Sequence, residues 1–338
     1  GLASRRFRQA AVGVAVVVVV AVTGWLAPDG GDGPTIRTAL VQGGGPRGFR
    51  ATETDAAEVV RRHLAASAEL RPPLDLVLWP EDVVDVEGPT RRAPEGAQLA
   101  DVARRNRTTL VAGVVEGAGD DHFRNAALAW SPDGDLIGRY DKAKRVPFGE
   151  YVPLRGVVED LVDLSAIPRD ALAGSGPGLL RTPPADAGVL ISYEVFFARR
   201  GRAAVRAGGD LLLVPTNAAS FSTSQMPAQE LAAARLRAIE AGRDLVQASP
   251  TGYSAYVDHR GRIRVRTALG RRAVVQRTVT LRTDPTVYVA LGDWPLVTAS
   301  VLALGGAWWL AGVPVSRRAW RARRPAGRRD GPGRTSTC

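Results

Sequence analysis

The sequence predicts an α/β domain with layered sheets, held between two apolar helices. Three observations predict it. From about residue 35 to 290, short apolar strands alternate with amphipathic helices, and no internal repeat interrupts the pattern. On either side lies an uncharged run: "AAVGVAVVVVVAVTGWLA" (10–27), 18 residues, and "WPLVTASVLALGGAWWLAGVPV" (294–315), 22 residues. Both are close to the roughly 20 residues that span a bilayer. Arginine lies outside each run, at Arg5, Arg6 and Arg8 on one flank and from Arg317 to Arg334 on the other. By the positive-inside rule both ends face the cytoplasm and everything between them lies outside it. A cleaved signal peptide would mimic the first run but leaves the second unexplained. The expected organisation is a basic N-terminus with a transmembrane helix (1–34), an extracytoplasmic domain (35–290), and a second transmembrane helix with a basic cytoplasmic tail (291–338).

Element by element, "IRTALVQ" (36–42) alternates and reads as a strand, and "ETDAAEVVRRHLAASAEL" (53–70) has helical spacing and an acidic start. "LDLVLWP" (74–80) is a buried strand, followed by a helix in "EGAQLADVARRN" (95–106). "TTLVAGVVE" (108–116) and "NAALAWSP" (125–132) are strands, the second ending at a Pro-Asp-Gly turn. The stretch 156–187 is less regular, as a long loop or insert would be. "GVLIS" (188–192) is a strand with a helix after it. "DLLLVPT" (210–216) is another strand, and "MPAQELAAARLRAIEAGR" (226–243) a long helix. "LVQAS", "SAYVDH" and "RIRVRT" close the pattern, with "DHRGR" (258–262) as a hairpin turn.

Composition excludes several classes of function. The chain has 338 residues, 45 basic and 34 acidic, for a net charge of +11. The excess is gathered at the ends, beside the apolar runs, where it suits a juxtamembrane segment near anionic lipid. No stretch interleaves aromatic and basic residues as a nucleic-acid platform does, so no nucleic-acid partner is expected. The only cysteine is Cys338, which excludes an internal disulfide and a thiolate metal site. His63, His122 and His259 are far apart and form no metal-ligand motif, so no metal is expected. The chain begins at Gly1 rather than Met, and the expectation is a piece of something longer.

Three polar points sit at strand ends. Strand 74–80 delivers Glu81 in "LVLWPED", and strand 188–191 delivers Ser192 and Glu194 in "ISYEVFF". Between them "GRYDKAKRVPFGEYVP" (138–153) combines Lys142 and Glu150 with the restricted residues Pro147, Gly149 and Pro153. Loops held by strand ends are where function concentrates. A carboxylate, an ammonium and a small nucleophile in one cleft suit acyl transfer: the carboxylate takes the nucleophile's proton and the ammonium stabilises the oxyanion. Taken singly, each has a plainer reading. Glu81 after Trp-Pro would cap a helix, Lys142 would be surface charge, and Ser192 would be a turn residue.

The segments "LVLWPE", "YDKAKRVPFGEYVPLR", "ISYEVFF", "AGGDLLLVPTNAASF" and "ARLRAIEAGRDLVQAS…GYSAYVDHRGRI" together resemble the nitrilase superfamily, and within it the bacterial apolipoprotein N-acyltransferases. The resemblance covers most of 36–290 and implies a nitrilase-like α-β-β-α sandwich, which the apolar runs flank with one N-terminal and one C-terminal transmembrane helix. It implies a Glu-Lys-Cys triad, no cofactor, and a cell-membrane protein with its catalytic domain on the extracytoplasmic side. The implied reaction moves an acyl chain from phospholipid to the N-terminal amine of a diacylglyceryl-cysteine lipoprotein. On this resemblance Glu81 matches the general base, Lys142 the oxyanion-stabilising lysine and Glu150 a second essential glutamate. Tyr193 and Glu194 match the supporting residues after the nucleophile.

Ser192 falls on the position of the nucleophilic cysteine, and there the chain departs from the family. A thiol with a pKa of about 8.5 readily yields thiolate, whereas a serine needs a strong, positioned base. Three explanations stand: a Cys→Ser change introduced deliberately, a paralogue that has lost the chemistry and keeps binding, or a serine ester in place of the thioester. "TNAASF" also departs from the family's usual Asn-Asp-Ala-Trp-Phe, and the family's bundle of membrane helices before the domain is reduced here to one. The alternatives to the acyltransferase are a silent lipid- or lipoprotein-binding protein on the same scaffold and a hydrolase of small amides. Phe148, Tyr151, Val152, Phe196 and Phe197 are candidates for an acyl-chain groove.

Overall fold

The computed structural model describes residues 2–45, 54–165, 167–221 and 224–310. The basic tail from Arg317, Cys338 and the last residues of the second apolar run lie outside the described residues. The chain divides into two compact units, one ending at Gly292 and one beginning at Asp293.

In the first unit, after helix α1 (Leu2–Leu26), the chain builds two sheets with a helical layer on the outer face of each. The first sheet uses β1 (Thr35–Gln42), β2 (Leu76–Leu78), β3 (Val84–Val86), β4 (Thr109–Gly117), β5 (His122–Trp130), β6 (Leu136–Asp141) and β7 (Asp170–Ala171), closed by β14 (Ala273–Thr280). Its order is β14-β1-β2-β4-β5-β6, with β3 added on β4 and β7 on β5. The second sheet uses β8 (Leu179–Thr182), β9 (Ala185–Val189), β10 (Leu211–Pro215), β11 (Leu245–Ala248), β12 (Ala255–Val257) and β13 (Ile263–Arg266), in the order β13-β12-β11-β10-β9-β8. The central strands β1, β2 and β4 run parallel, as do β9, β10 and β11. Burial on both faces explains why β2 and β10 read as unbroken apolar runs.

Alternation along each strand sorts the side chains into three cores. Leu40, Leu76, Leu78, Leu211 and Leu213 point between the sheets and pack together. Their neighbours Ala39, Val41, Val77 and Trp79 meet α2 (Ala56–Ser67) and α3 (Pro94–Asn106) through Val59, Val60, Leu99 and Val102. On the far side, Leu212 and Val214 meet α5 (Ala198–Arg206) and α6 (Met226–Ala241) through Val205, Leu231, Ala234 and Ala238. The result is the α-β-β-α sandwich. Each fully buried leucine contributes about 1.5–3 kcal/mol toward holding the layers together.

Local signals set the helix ends. The Asp55 carboxylate accepts the Ala57 N–H and starts α2, Pro94 opens α3, and Gly242 in the left-handed conformation (φ 62°) ends α6. A short helix α4 (Arg155–Val158) interrupts the 156–187 region, and α7 (Val287–Leu291) follows β14. Five strands lie where the sequence pattern showed none: β3, β6, β7, β8 and β14. The edge strand β14 was hidden because its sequence, "AVVQRTVT", exposes most of one face and pairs with β1 across more than 200 residues.

The two apolar runs are helical where described, in α1 and in α8 (Trp294–Leu310) of the second unit, and many of their valines and leucines are exposed. Among the described residues no helix is long and apolar enough to cross a membrane.

Candidate active site

The loops that follow β2, β6, β9 and β10 converge at the carboxyl ends of the parallel strands, the position where open α/β sheets form their sites. Glu81 leaves the end of β2 through Trp79 and Pro80. It crosses so close to β4 that a Cβ on Gly113 would sit 2.4 Å from the Glu81 Cα, and the Gly113 N–H bonds the Pro80 carbonyl at 3.0 Å. Lys142 follows β6, and its backbone N–H extends the ladder to the Asn125 carbonyl at 2.8 Å. Lys142 and Asn125 are therefore cross-strand neighbours, and both side chains turn toward Glu81.

These residues form a buried charge cluster. The Lys142 Nζ donates to Glu81 Oε1 at 2.8 Å and to Glu150 Oε1 at 2.7 Å. The Asn125 amide donates to the same two oxygens, at 2.8 and 2.9 Å. Glu150 Oε2 accepts the Val146 N–H at 2.8 Å, which folds the 146–150 loop over the cluster. Lys142 is 2% exposed and Glu81 4%. Burial opposes the ammonium, but the two carboxylates outweigh it and hold the Lys142 pKa above its ordinary value. Burial pushes the Glu81 carboxyl upward, Lys142 opposes this, and the charge of Glu150 adds to the rise. Two carboxylates sharing one ammonium make a site that holds a proton readily.

Ser192 stands three residues beyond the end of β9, at the first position of a 3-10 turn spanning Ser192–Phe196, with φ at 45°. That left-handed conformation costs a non-glycine residue about 1–2 kcal/mol. It sets the hydroxyl on a sharp strand-to-helix turn, as at nucleophile positions in other folds. Two further residues with positive φ lie close by in sequence: Asp82 (55°) beside Glu81, and Phe148 (57°) in the Glu150 loop. Such strain clusters at functional sites.

Glu194, fully buried, ties the two strand ends together. Its Oε1 accepts from the Ala143 and Lys144 N–H groups at 3.0 and 3.1 Å and from the Tyr140 hydroxyl at 2.8 Å, while Oε2 accepts the Ile191 N–H at 3.0 Å. The backbone around Lys142 is thus fastened to the residue just before Ser192. Tyr193 packs edge-on against Phe197, ring centres 5.0 Å apart. Of the candidate groove residues, Phe148 and Phe196 are exposed, Val152 is buried, and Tyr151 lies under the Arg145 guanidinium at 4.1 Å.

All the predicted site residues come to this end of the sandwich, but Ser192 does not hydrogen-bond Glu81 or Lys142. Its hydroxyl donates to Glu230 Oε1 at 3.2 Å, and the Thr216 hydroxyl lies 3.3 Å from it and also bonds Glu230. Burial raises the Glu230 carboxyl to about 7; the Thr216 and Ser192 bonds and Lys142 oppose the rise, and the charge of Glu81 adds to it. The two clusters therefore feel one another electrostatically. Asn217 joins them mechanically by donating to Asp82 at 2.9 Å.

Sequence reasoning missed Asn125, Thr216 and Glu230. For Glu230 a signal existed: it stands four and eight residues before Ala234 and Ala238, on the stripe of α6 that faces the core. A cavity of about 300 Å³ lined by Asp244, His259, Arg264 and Arg282 contains none of these residues.

Residues 37–283 match the family model described as carbon-nitrogen hydrolase. Among curated relatives, an apolipoprotein N-acyltransferase of Vibrio vulnificus (strain CMCP6) is 30% identical, over 84% of this chain and 57% of that protein. Those of Geobacter metallireducens and Mycolicibacterium smegmatis are 33% and 30% identical, over 81% and 87% of this chain and 54% and 52% of theirs. The chain thus spans about half the length of the curated relatives it matches. Among solved structures, an amidase from Nesterenkonia sp. AN1, carrying acrylamide on its active-site cysteine, superposes with a TM-score of 0.54 at 19% identity, over 78% of this chain and 99% of that one. A carbon-nitrogen hydrolase from Helicobacter pylori G27 gives 0.54 at 14% identity, over 72% and 89%.

Proposed function

The chain belongs to the carbon-nitrogen hydrolase family, and from that premise we propose that it is a membrane-anchored acyltransferase of the apolipoprotein N-acyltransferase kind. The observation that carries the reading is the buried carboxylate–ammonium–carboxylate set of Glu81, Lys142 and Glu150 beside a strained hydroxyl at a strand end. Relatives bearing that name at 30–33% identity support it. In this reading Ser192 takes an acyl chain from a phospholipid ester and the lysophospholipid leaves. The N-terminal amine of a diacylglyceryl-cysteine lipoprotein then takes the acyl group. Lys142 stabilises the oxyanion of each tetrahedral intermediate, Glu81 is the general base, and Glu150, Tyr193 and Glu194 support them.

Anchoring by two helices is part of the proposal. The uncharged runs 10–27 and 294–315, the arginines outside them, and exposed side chains such as Val17, Leu302 and Trp309 support it. With both ends in the cytoplasm, residues 35–290 form the extracytoplasmic domain of a bacterial cell-membrane protein. A silent lipid- or lipoprotein-binding role is the second reading, favoured only by serine at position 192.

The test compares the chain with Ser192→Cys in detergent or liposomes, supplied with phospholipid and a diacylated lipopeptide, and follows the lipopeptide's gain of one acyl mass. Transfer by either form supports the acyltransferase. Absence of transfer by both leaves the binding role and overturns this one.

A further inference from the structure

Resting on that acyl-transfer reading, we propose that Glu230 is a catalytic base of this chain, taking the proton of Ser192 as its hydroxyl attacks. A serine in place of a thiol needs its own positioned base, and histidine, the usual one, is absent from the site. Glu230 stands where such a base belongs. It is 3% exposed, comes from a different element than the rest of the charge cluster, and accepts the Ser192 hydroxyl at 3.2 Å, within the reach of a general base before substrate tightens the contact. Thr216 bonds both partners and fixes the carboxylate against the serine.

An unpaired carboxylate on the core face of α6 is costly to bury, so a structural role alone gives it little reason to be there. Neither Lys142 nor any arginine bonds it among the described residues. The groups that face it are Ser192 and Thr216, with the charges of Glu81 and Lys142 acting on it from the neighbouring cluster. A base is most effective when its pKa lies near the working pH, and burial brings Glu230 to about 7.

The step balances. The Ser192 Oγ–H bond breaks and its proton passes to a Glu230 oxygen while Oγ bonds the ester carbonyl carbon. On collapse the carbonyl carbon–oxygen bond to the lysophospholipid breaks, and Glu230 returns the proton to that leaving alcohol. In the second half the attacking amine gives one proton to Glu230, the Oγ–acyl bond breaks, and Glu230 returns that proton to Oγ, so both groups end as they began.

An alkyl fluorophosphonate tests this without calling on lipoprotein transfer: Oγ bonds phosphorus, fluoride leaves, and the Ser192 peptide gains the phosphonyl mass. The expected result is labelling at Ser192 whose rate rises with pH through about 7 and then levels, slowed by roughly 10²–10⁴-fold in Glu230→Gln. Glutamine keeps the size and the bond from Thr216, and a thermal melt checks its fold. Should that variant unfold, the pH profile of the unaltered chain decides. No labelling of Ser192, a rate flat across that range, or equal rates with Glu230→Gln overturns the role of Glu230. Failure of lipopeptide transfer with labelling intact instead overturns only the acyl acceptor assigned above.

Discussion

Lys142→Met removes the one cation from the buried cluster and keeps the side chain's bulk. The Nζ lies 2.8 Å from a Glu81 oxygen and 2.7 Å from a Glu150 oxygen, so its loss leaves two carboxylates facing each other out of water. Breaking a buried pair in this way costs about 3–5 kcal/mol. At roughly 2–4 °C per kcal/mol, the melting temperature near neutral pH should fall by about 6–20 °C. The sign of the pH dependence is fixed by the carboxylates. Burial already raises the Glu81 carboxyl against the pull of Lys142, and without the ammonium it rises further above the unfolded value of about 4.3, so the folded state binds more protons than the unfolded one. That stability is fully present below the unfolded pKa and is lost as pH climbs through the raised one. The variant should therefore regain stability on acidification, by more than the parent does. Differential scanning calorimetry in detergent at about pH 5 and pH 8 reads the effect. A variant that melts within about 2 °C of the parent at both pH values, the scale of a surface substitution, would refute the claim that Lys142 balances two buried charges.

Two further outcomes follow from the site and the sheet beside it. Gly113→Ala places a methyl 2.4 Å from the Glu81 Cα and 2.5 Å from the Pro80 carbonyl, so the backbone carrying Glu81 must move. A modest loss of about 1–3 kcal/mol should accompany a much larger loss of acyl transfer, on the order of 10²-fold, and full transfer in a variant of unchanged stability would contradict it. Asp210 is raised to about 6, first by burial, with one side-chain oxygen left without a partner. Its folded pKa exceeds the unfolded value of about 3.9, so it costs stability as pH rises through that window. Asp210→Asn should raise the melting temperature at about pH 8 and leave it unchanged at about pH 4; an equal shift at both would show that charge is not the cause.

Much of this site was legible before any fold was known. Glu81 and Ser192 each follow an apolar strand, Lys142 shares its stretch with the restricted residues Pro147, Gly149 and Pro153, and a chain that leaves a sheet at such points projects its polar residues into a shared cleft. The helix boundaries were legible too, because Asp55, Pro94 and Gly242 act on the few residues next to them. The strand carrying Lys142 was not. β6 buries only Tyr140, so it has no apolar alternation to read, and only its pairing with β5 reveals it as a strand.

By itself, then, the sequence determined the helices and the apolar strands, the apolar runs at 10–27 and 294–315, and the residues that carry charge at the strand ends. These follow from side-chain periodicity and local capping, whose reach is a few residues. Only the tertiary structure decided that two sheets stack with β14 closed on β1, and that Lys142 lies between two carboxylates. It alone showed that the hydroxyl of Ser192 turns to Glu230, 38 residues away, rather than to Glu81. Such pairings are set by the packing of layers against one another. That packing depends on the whole core at once, and no single window of sequence encodes it.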